Sequence, residues 1–168
     1  IWRGTITGGS QATVNVNSGQ FAANAASNIA VNALNVGANG TLGVYIDGTT
    51  GTSSTFVTNT ATFASGSKIT ASITSIAKAE GTYTVLTSNA LTGASNVNAS
   101  DLALPVLYTG TLAAQGNDLQ LTIARKTAAQ LGLTAAQAAI YSPIIAQAQA
   151  LTTAGGTPSV LETDLLQV

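Results

Sequence analysis

The sequence predicts a mainly β chain, built as a solenoid of stacked coils and followed by a short α-helical C-terminal segment. Three observations carry that expectation. Charged residues make up only 7% of the 168, against roughly 25% in an ordinary globular domain. The 45% that are hydrophobic are mostly Ala, Val, Leu and Ile, set among Thr, Ser, Asn and Gln, a mix suited to narrow β layers and frequent turns. Gly- and Asn-centred turns also recur about one coil apart, at Asn17-Ser18-Gly19, Ala38-Asn39-Gly40 and Ala64-Ser65-Gly66. Coils of roughly 20 residues are typical of solenoids. The period is irregular, so an antiparallel β-sandwich and a barrel stay open as alternatives.

Taken in order, the segments read as follows. Thr13-Val14-Asn15-Val16-Asn17 alternates polar and apolar before a Ser18-Gly19 turn. Ile29 to Val36 alternates loosely before a Gly37-Ala38-Asn39-Gly40 turn. Thr41 to Ile46 runs into Asp47-Gly48, a strong turn pair. Thr55 to Phe63 precedes Ser65-Gly66-Ser67. Ile69 to Ile76 is strand-like, and Thr82 to Leu86 follows Glu80-Gly81. Leu104 to Tyr108 and Leu119 to Ile123 flank Gly116-Asn117-Asp118.

The pattern changes after Ile123, which divides the chain into a β-rich region 1–124 and a region 125–168 of helix and apolar tail. Arg125 to Gly132 is helix-prone and closed by Gly. Thr134-Ala135-Ala136-Gln137 matches a capping box, with Thr134 as N-cap and Gln137 reaching back. Ala135 to Ala150 favours helix. Ile140, Ile144, Ala148 and Leu151 fall on one face, widened by Tyr141 and Ile145. Pro143 is expected to kink that helix or start a new segment, and Thr153-Ala154-Gly155-Gly156-Thr157-Pro158 to end it. Val160 to Val168 reads as a short apolar tail, helical or an added strand.

Composition also bounds function. There is no Cys and no His. Disulfides, thiol nucleophiles and the commonest general base and transition-metal ligand are therefore missing. A net charge of −1 gives no electrostatic reason to expect nucleic acid or an anionic membrane. No apolar run is long enough for a membrane span, and no cofactor is expected. Ile1-Trp2-Arg3-Gly4 does not read as a targeting segment. The absence of an initiating Met leads us to expect a processed chain or a fragment.

The six acidic residues, Asp47, Glu80, Asp101, Asp118, Glu162 and Asp164, mostly read as turn formers. They make neither a glycosidase pair nor a calcium loop. No Gly-x-Ser-x-Gly motif and no phosphate-binding loop occurs. Arg125-Lys126 is the one adjacent basic pair and reads as a solvated strand-to-helix junction. Trp2, Tyr45, Tyr83, Tyr108 and Tyr141 lie too far apart in sequence to argue a sugar-binding platform.

The run Gly81-Thr82-Tyr83-Thr84-Val85-Leu86, then Leu91-Thr92-Gly93, Leu107-Tyr108-Thr109-Gly110, and above all Leu119 to Leu133, resembles the C-terminal end of a bacterial autotransporter passenger. The Ala-rich stretch Thr134 to Tyr141 resembles the segment that leads to the membrane barrel. The likeness covers Gly81 to Ser142, and residues before it match in style alone. It implies a right-handed parallel β-helix, exported by the type V route and displayed at the bacterial cell surface or released. The family's membrane barrel is not part of this sequence, so the chain is expected to be a processed fragment or a free module.

The resulting expectation is a non-catalytic, extracellular structural or adhesive module whose partners are copies of itself or other surface components. A related possibility is a subunit of a filament assembled head to tail. A polysaccharide-acting β-helix enzyme is the alternative of another class, and it needs clustered charge. Trp2 and Phe21, as a cap on an open end, and Val160, Leu161, Leu165, Leu166 and Val168, as an added strand, form the expected assembly surface.

Overall fold

The computed structural model describes residues 9–97, 102–155, 160 and 166. In these, the strands are β1 (Thr13–Ala22), β2 (Asn28–Asp47), β3 (Thr52–Ser53), β4 (Thr55–Phe63), β5 (Lys68–Ile73), β6 (Gly81–Thr92), β7 (Leu102–Ala103), β8 (Tyr108–Gln115) and β9 (Asp118–Arg125). One helix, α1 (Ala135–Gly155), follows. The strands form one nine-stranded sheet in the order β7-β5-β2-β4-β6-β9-β8, with β1 and β3 also paired to β2. The sheet is nearly closed. No helix among the described residues is long and apolar enough to cross a membrane.

The long strand β2 organises the molecule. Its first half pairs with β4, from Asn28 with Thr55 to Val36 with Phe63. Its second half pairs with β5, from Thr41 with Lys68 to Ile46 with Ile73. β1 lies along its centre, from Thr13 with Ala33 to Ala22 with Gly43. All three ladders are parallel, as are β4 with β6 and β5 with β7. Parallel pairing in register puts like residues above one another. Phe21, Leu42, Ile69 and Leu102 form one such row. Ile29, Phe56 and Leu86 form another, which Leu119 extends across the antiparallel β6–β9 ladder. Leu42, Phe56, Ile69 and Leu86 in these rows are fully buried, each stabilising the fold by about 1.5–3 kcal/mol. Polar rows do the same outside. The Asn35 side-chain amide donates to Asn15 Oδ1 at 2.8 Å, and that of Asn89 to Asn59 Oδ1 at 2.9 Å.

The sheet is mixed, which corrects the expectation of a parallel ladder throughout. β3 runs antiparallel to β2, and β9 runs antiparallel to both β6 and β8. The cause is local. Gly116, at φ +64, lets a tight turn join β8 to β9, and strands joined so closely must be antiparallel. The parallel ladders also rule out the antiparallel sandwich.

Other sequence expectations shift for physical reasons. Ser18-Gly19 and Gly37 to Gly40 are corners inside continuous strands rather than turns between strands. The β1–β2 register slips between Val16 and Ser18. The chain comes so close here that a Cβ on Gly40 would lie 2.0 Å from the Val16 carbonyl oxygen. Leu104 to Tyr108 is not a strand. Pro105 has no N–H for a ladder, its carbonyl accepts from the Tyr108 amide at 3.0 Å, and β8 starts only there. Arg125 to Gly132 is not a helix but the end of β9 and one turn. Gln130 Oε1 accepts from the Thr127 amide at 2.8 Å, Thr127 Oγ1 accepts from the Gln130 amide at 3.2 Å, and Gly132 at φ +69 ends it.

The capping box of α1 forms as expected. Gln137 Oε1 accepts from the Thr134 amide at 2.9 Å, and Thr134 Oγ1 from the Gln137 amide at 3.4 Å. The helix continues through Pro143 without a new segment. Its buried face differs from expectation. Ile145, Ala148 and Thr152 are buried, whereas Ile140, Ile144 and Leu151 are 56%, 39% and 48% exposed. An uncharged helix that is apolar on most sides has no strong preference of its own. Two polar anchors choose the face. The Tyr141 hydroxyl donates to the Lys126 carbonyl at 2.9 Å, and the Gln149 side-chain amide to the Ile76 carbonyl at 3.0 Å. Ile145 and Ala148 thereby join the same core as the strands, so the boundary near residue 124 separates sheet from helix without dividing the interior.

Candidate functional site

The residues expected to form an assembly surface do not come together as one. Trp2, Leu161, Leu165 and Val168 lie outside the described residues. Phe21 is buried, with its ring centroid 5.5 Å from that of Phe56 at a tilt of 48°. It belongs to the interior row, because the alternation of β1 turns Gln20 outward and Phe21 inward. Val160 is 80% exposed, and Leu166 is half-buried against the core.

The carboxylates that fall within the described residues each have a separate local task. Asp47 ends β2, and its Oδ1 accepts from the Thr49 amide at 2.9 Å. Burial alone would raise its carboxyl pKa, but the hydrogen bonds from Thr50 and Thr49 outweigh it and hold it below the usual value. Glu80, ahead of β6, forms an ion pair with Arg125 at the end of β9. Arg125 is therefore paired rather than merely solvated. Asp118 opens β9, paired in register with Gln115 and Thr87. Asp101, Glu162 and Asp164 lie outside the described residues. Among the described residues, no group of His, Cys, Asp and Glu is arranged to hold a metal ion.

The aromatic side chains divide in the same way. Tyr83 is buried, and its hydroxyl donates to the Lys78 and Ala79 carbonyls at 3.1 and 2.9 Å. Burial raises its pKa. Tyr108 is buried and Tyr141 is anchored on Lys126. Tyr45 lines a cleft on the outer face of the sheet, and Tyr108 lines a second recess with Leu102, Leu104 and Lys126.

The Tyr45 cleft is built from sheet positions. Three outward rows cross β1, β2 and β5. Gln20, Thr41 and Lys68 form one row, Ala22, Gly43 and Thr70 the next, and Tyr45 and Ser72 the third. The middle row is low because Ala22 and Gly43 are small. A Cβ on Gly43 would lie 2.4 Å from that of Ala22 and 2.8 Å from Gln20 Nε2, so only hydrogen fits. The recess holds about 280 Å³, and Asn24 and Thr74 complete its polar lining. Its rim is fixed by a hydrogen bond from Gln20 Nε2 to Thr70 Oγ1 at 2.7 Å. None of its lining residues is charged.

Sequence reasoning missed this cleft. Its members come from three strands, and nothing local reports which positions become neighbours. The one legible sign was Tyr45, an aromatic at an outward position between Val44 and Ile46. Compared with known proteins, the chain matches no family model, no curated protein and no solved structure.

Proposed function

We propose that the chain is a non-catalytic structural module of the bacterial cell surface or extracellular space, of autotransporter-passenger type. Its finer architecture in this reading is a right-handed solenoid of parallel coils, closed at its C-terminal end by the β8–β9 hairpin and α1. The observation that carries the reading is the stacking of like residues through successive parallel ladders, as in Phe21, Leu42, Ile69 and Leu102. Each coil buries its apolar row on the next, which is how a solenoid makes a core. The right hand follows from the strong preference of parallel crossover connections. Few charges, which among the described residues are not clustered beyond the Glu80–Arg125 ion pair and its neighbour Lys126, favour a surface role over chemistry that needs clustered acid and base.

A filament subunit is the second reading, favoured by a strand edge. β8 ends the strand order, and Thr109 to Gln115 on it carry no charge and no proline, the features that usually protect an edge from pairing. Pairing of this edge with another copy, without closing a ring, would extend a fibre.

Negative-stain electron microscopy across protein concentration tests both. Regular filaments with a constant axial repeat support the second reading. Isolated short rods support the first alone, and globular particles without axial stacking overturn both. The computed isoelectric point is about 4.9, so repulsion between copies is smallest near that pH. Light scattering is expected to rise on going from pH 8 to pH 5, and a flat profile counts against self-association.

A further inference from the structure

We propose that the cleft on the outer face of β1, β2 and β5 is a binding site for a neutral saccharide chain. This goes beyond the structural role above and holds whether or not copies associate.

The chemistry of the lining selects the ligand class. Lys68 stands in the Gln20 row but outside the lining, so a charged group inside the recess would find no counter-charge among the lining residues, and a buried or half-buried charge without a partner is costly. The Ser72 and Thr74 hydroxyls donate to the Val44 and Ile46 carbonyls at 3.3 and 3.4 Å and keep lone pairs to accept from a ligand. A purely apolar ligand would cover the remaining Gln20 amide hydrogen and carbonyl oxygen without pairing them. The lining instead offers many uncharged donors and acceptors beside one aromatic ring, the combination that suits a sugar, with hydroxyls on its edges and C–H groups on its faces. Gln20 has used one amide hydrogen on Thr70, leaving its other hydrogen and its carbonyl oxygen for a ligand. The Thr70 hydroxyl accepts that bond and keeps its own hydrogen to donate. Ser72 is exposed, and Tyr45 stands beside it in register at the opposite rim.

Shape points the same way. The Gln20 amide lies over Gly43, 2.8 Å from where a Cβ would stand, and its bond to Thr70 makes one wall of the recess, with Tyr45, Ser72 and Thr74 also in the lining. The volume of about 280 Å³ lies just under the usual range of ligand sites, enough for a single sugar ring of a longer chain. The walls sit on three hydrogen-bonded strands, so their spacing is set before the ligand arrives, which lowers the entropic cost of binding.

The test is an NMR titration of the intact chain with three neutral tetrasaccharides, cellotetraose, maltotetraose and chitotetraose, and with tetragalacturonate as the anionic control. At least one neutral chain is expected to shift the amide signals of Gln20, Gly43, Tyr45 and Thr70. Tyr45→Ala is expected to weaken binding by about tenfold or more. Because Tyr45 also contacts the core, Ser72→Lys serves as a second variant. Its site is exposed, and its bulk and charge are expected to weaken binding while leaving the spectrum of a folded protein. The proposal is overturned if no neutral chain shifts these signals at about 10 mM, tenfold above a millimolar dissociation constant. Shifts confined to another surface, equal binding of the anionic chain, or unchanged affinity in both variants overturn it as well.

Discussion

Replacing Gly48 with Ala tests whether the close approach of the segment after β2 to the segment after β5 holds the fold together. Gly48 follows β2, and an added Cβ would lie 1.7 Å from the Ser75 carbonyl oxygen and 2.6 Å from its carbon. Both are backbone atoms, so no side-chain rotation relieves the clash. Real Cβ contacts essentially never fall below 3.0 Å, so the two segments must separate by more than 1 Å. That opening strains the hydrogen bonds from the Thr74 amide to the Ile46 carbonyl (3.1 Å) and from the Lys78 amide to the Gly48 carbonyl (2.6 Å). Each contributes about 1 kcal/mol net. Loosened packing of the buried Ile76 adds about 1 kcal/mol more. The expected loss is thus about 3 kcal/mol, or a fall in Tm of about 6–12 °C for a chain of this size. Gly116→Ala is the control. It has φ +64 and nothing within 4 Å, so its cost is left-handed strain alone, about 1–2 kcal/mol. Urea unfolding of both variants beside the parent chain gives the comparison. Equal losses in the two variants, or a loss at Gly48 below about 1 kcal/mol, would refute the close-approach argument.

Three further outcomes are expected. Tyr83→Phe leaves the Lys78 and Ala79 carbonyls without their donor and is expected to cost about 1–2 kcal/mol, read from the urea midpoint. On α1, Ile145→Ala empties a core position and is expected to cost about 2–4 kcal/mol, whereas Ile140→Ser on the exposed face is expected to stay within about 0.5 kcal/mol. Equal effects would mean that the helix docks by another face. The depressed Asp47 carboxyl stabilises the fold above its unfolded-state pKa, and that contribution is lost as pH falls through the folded-state value, below about pH 4. Asp47→Asn keeps an acceptor for Thr49 without the charge, so its stability between pH 7 and pH 3 should fall less than that of the parent chain.

How much was legible in advance depended on how far each cause reaches along the chain. β4 matches its expected bounds, Thr55 to Phe63, because its apolar positions and the Ser65-Gly66-Ser67 break lie within a few residues of each other. The Asp47-Gly48 turn, the Gly116-Asn117 turn and the Thr134–Gln137 capping box were readable for the same reason. The Gly37 to Gly40 run misled, because its glycines serve a close approach to Val16 and not a reversal of the chain. The Arg125 to Gly132 segment misled because high helix propensity could not overcome a terminating glycine and a self-contained turn.

The sequence by itself determined a mainly β chain with one capped C-terminal helix, since alternation, turn residues and capping are local hydrogen-bond and steric preferences. Tertiary structure decided which strands became parallel neighbours and that β9 pairs antiparallel with β6. It also decided which face of α1 was buried, through a bond between Gln149 and Ile76, 73 residues apart. The cleft around Tyr45 belongs to this second class. Gln20 and Thr70 meet across 50 residues because register, a property of whole paired strands, sets their spacing, and no local preference encodes it.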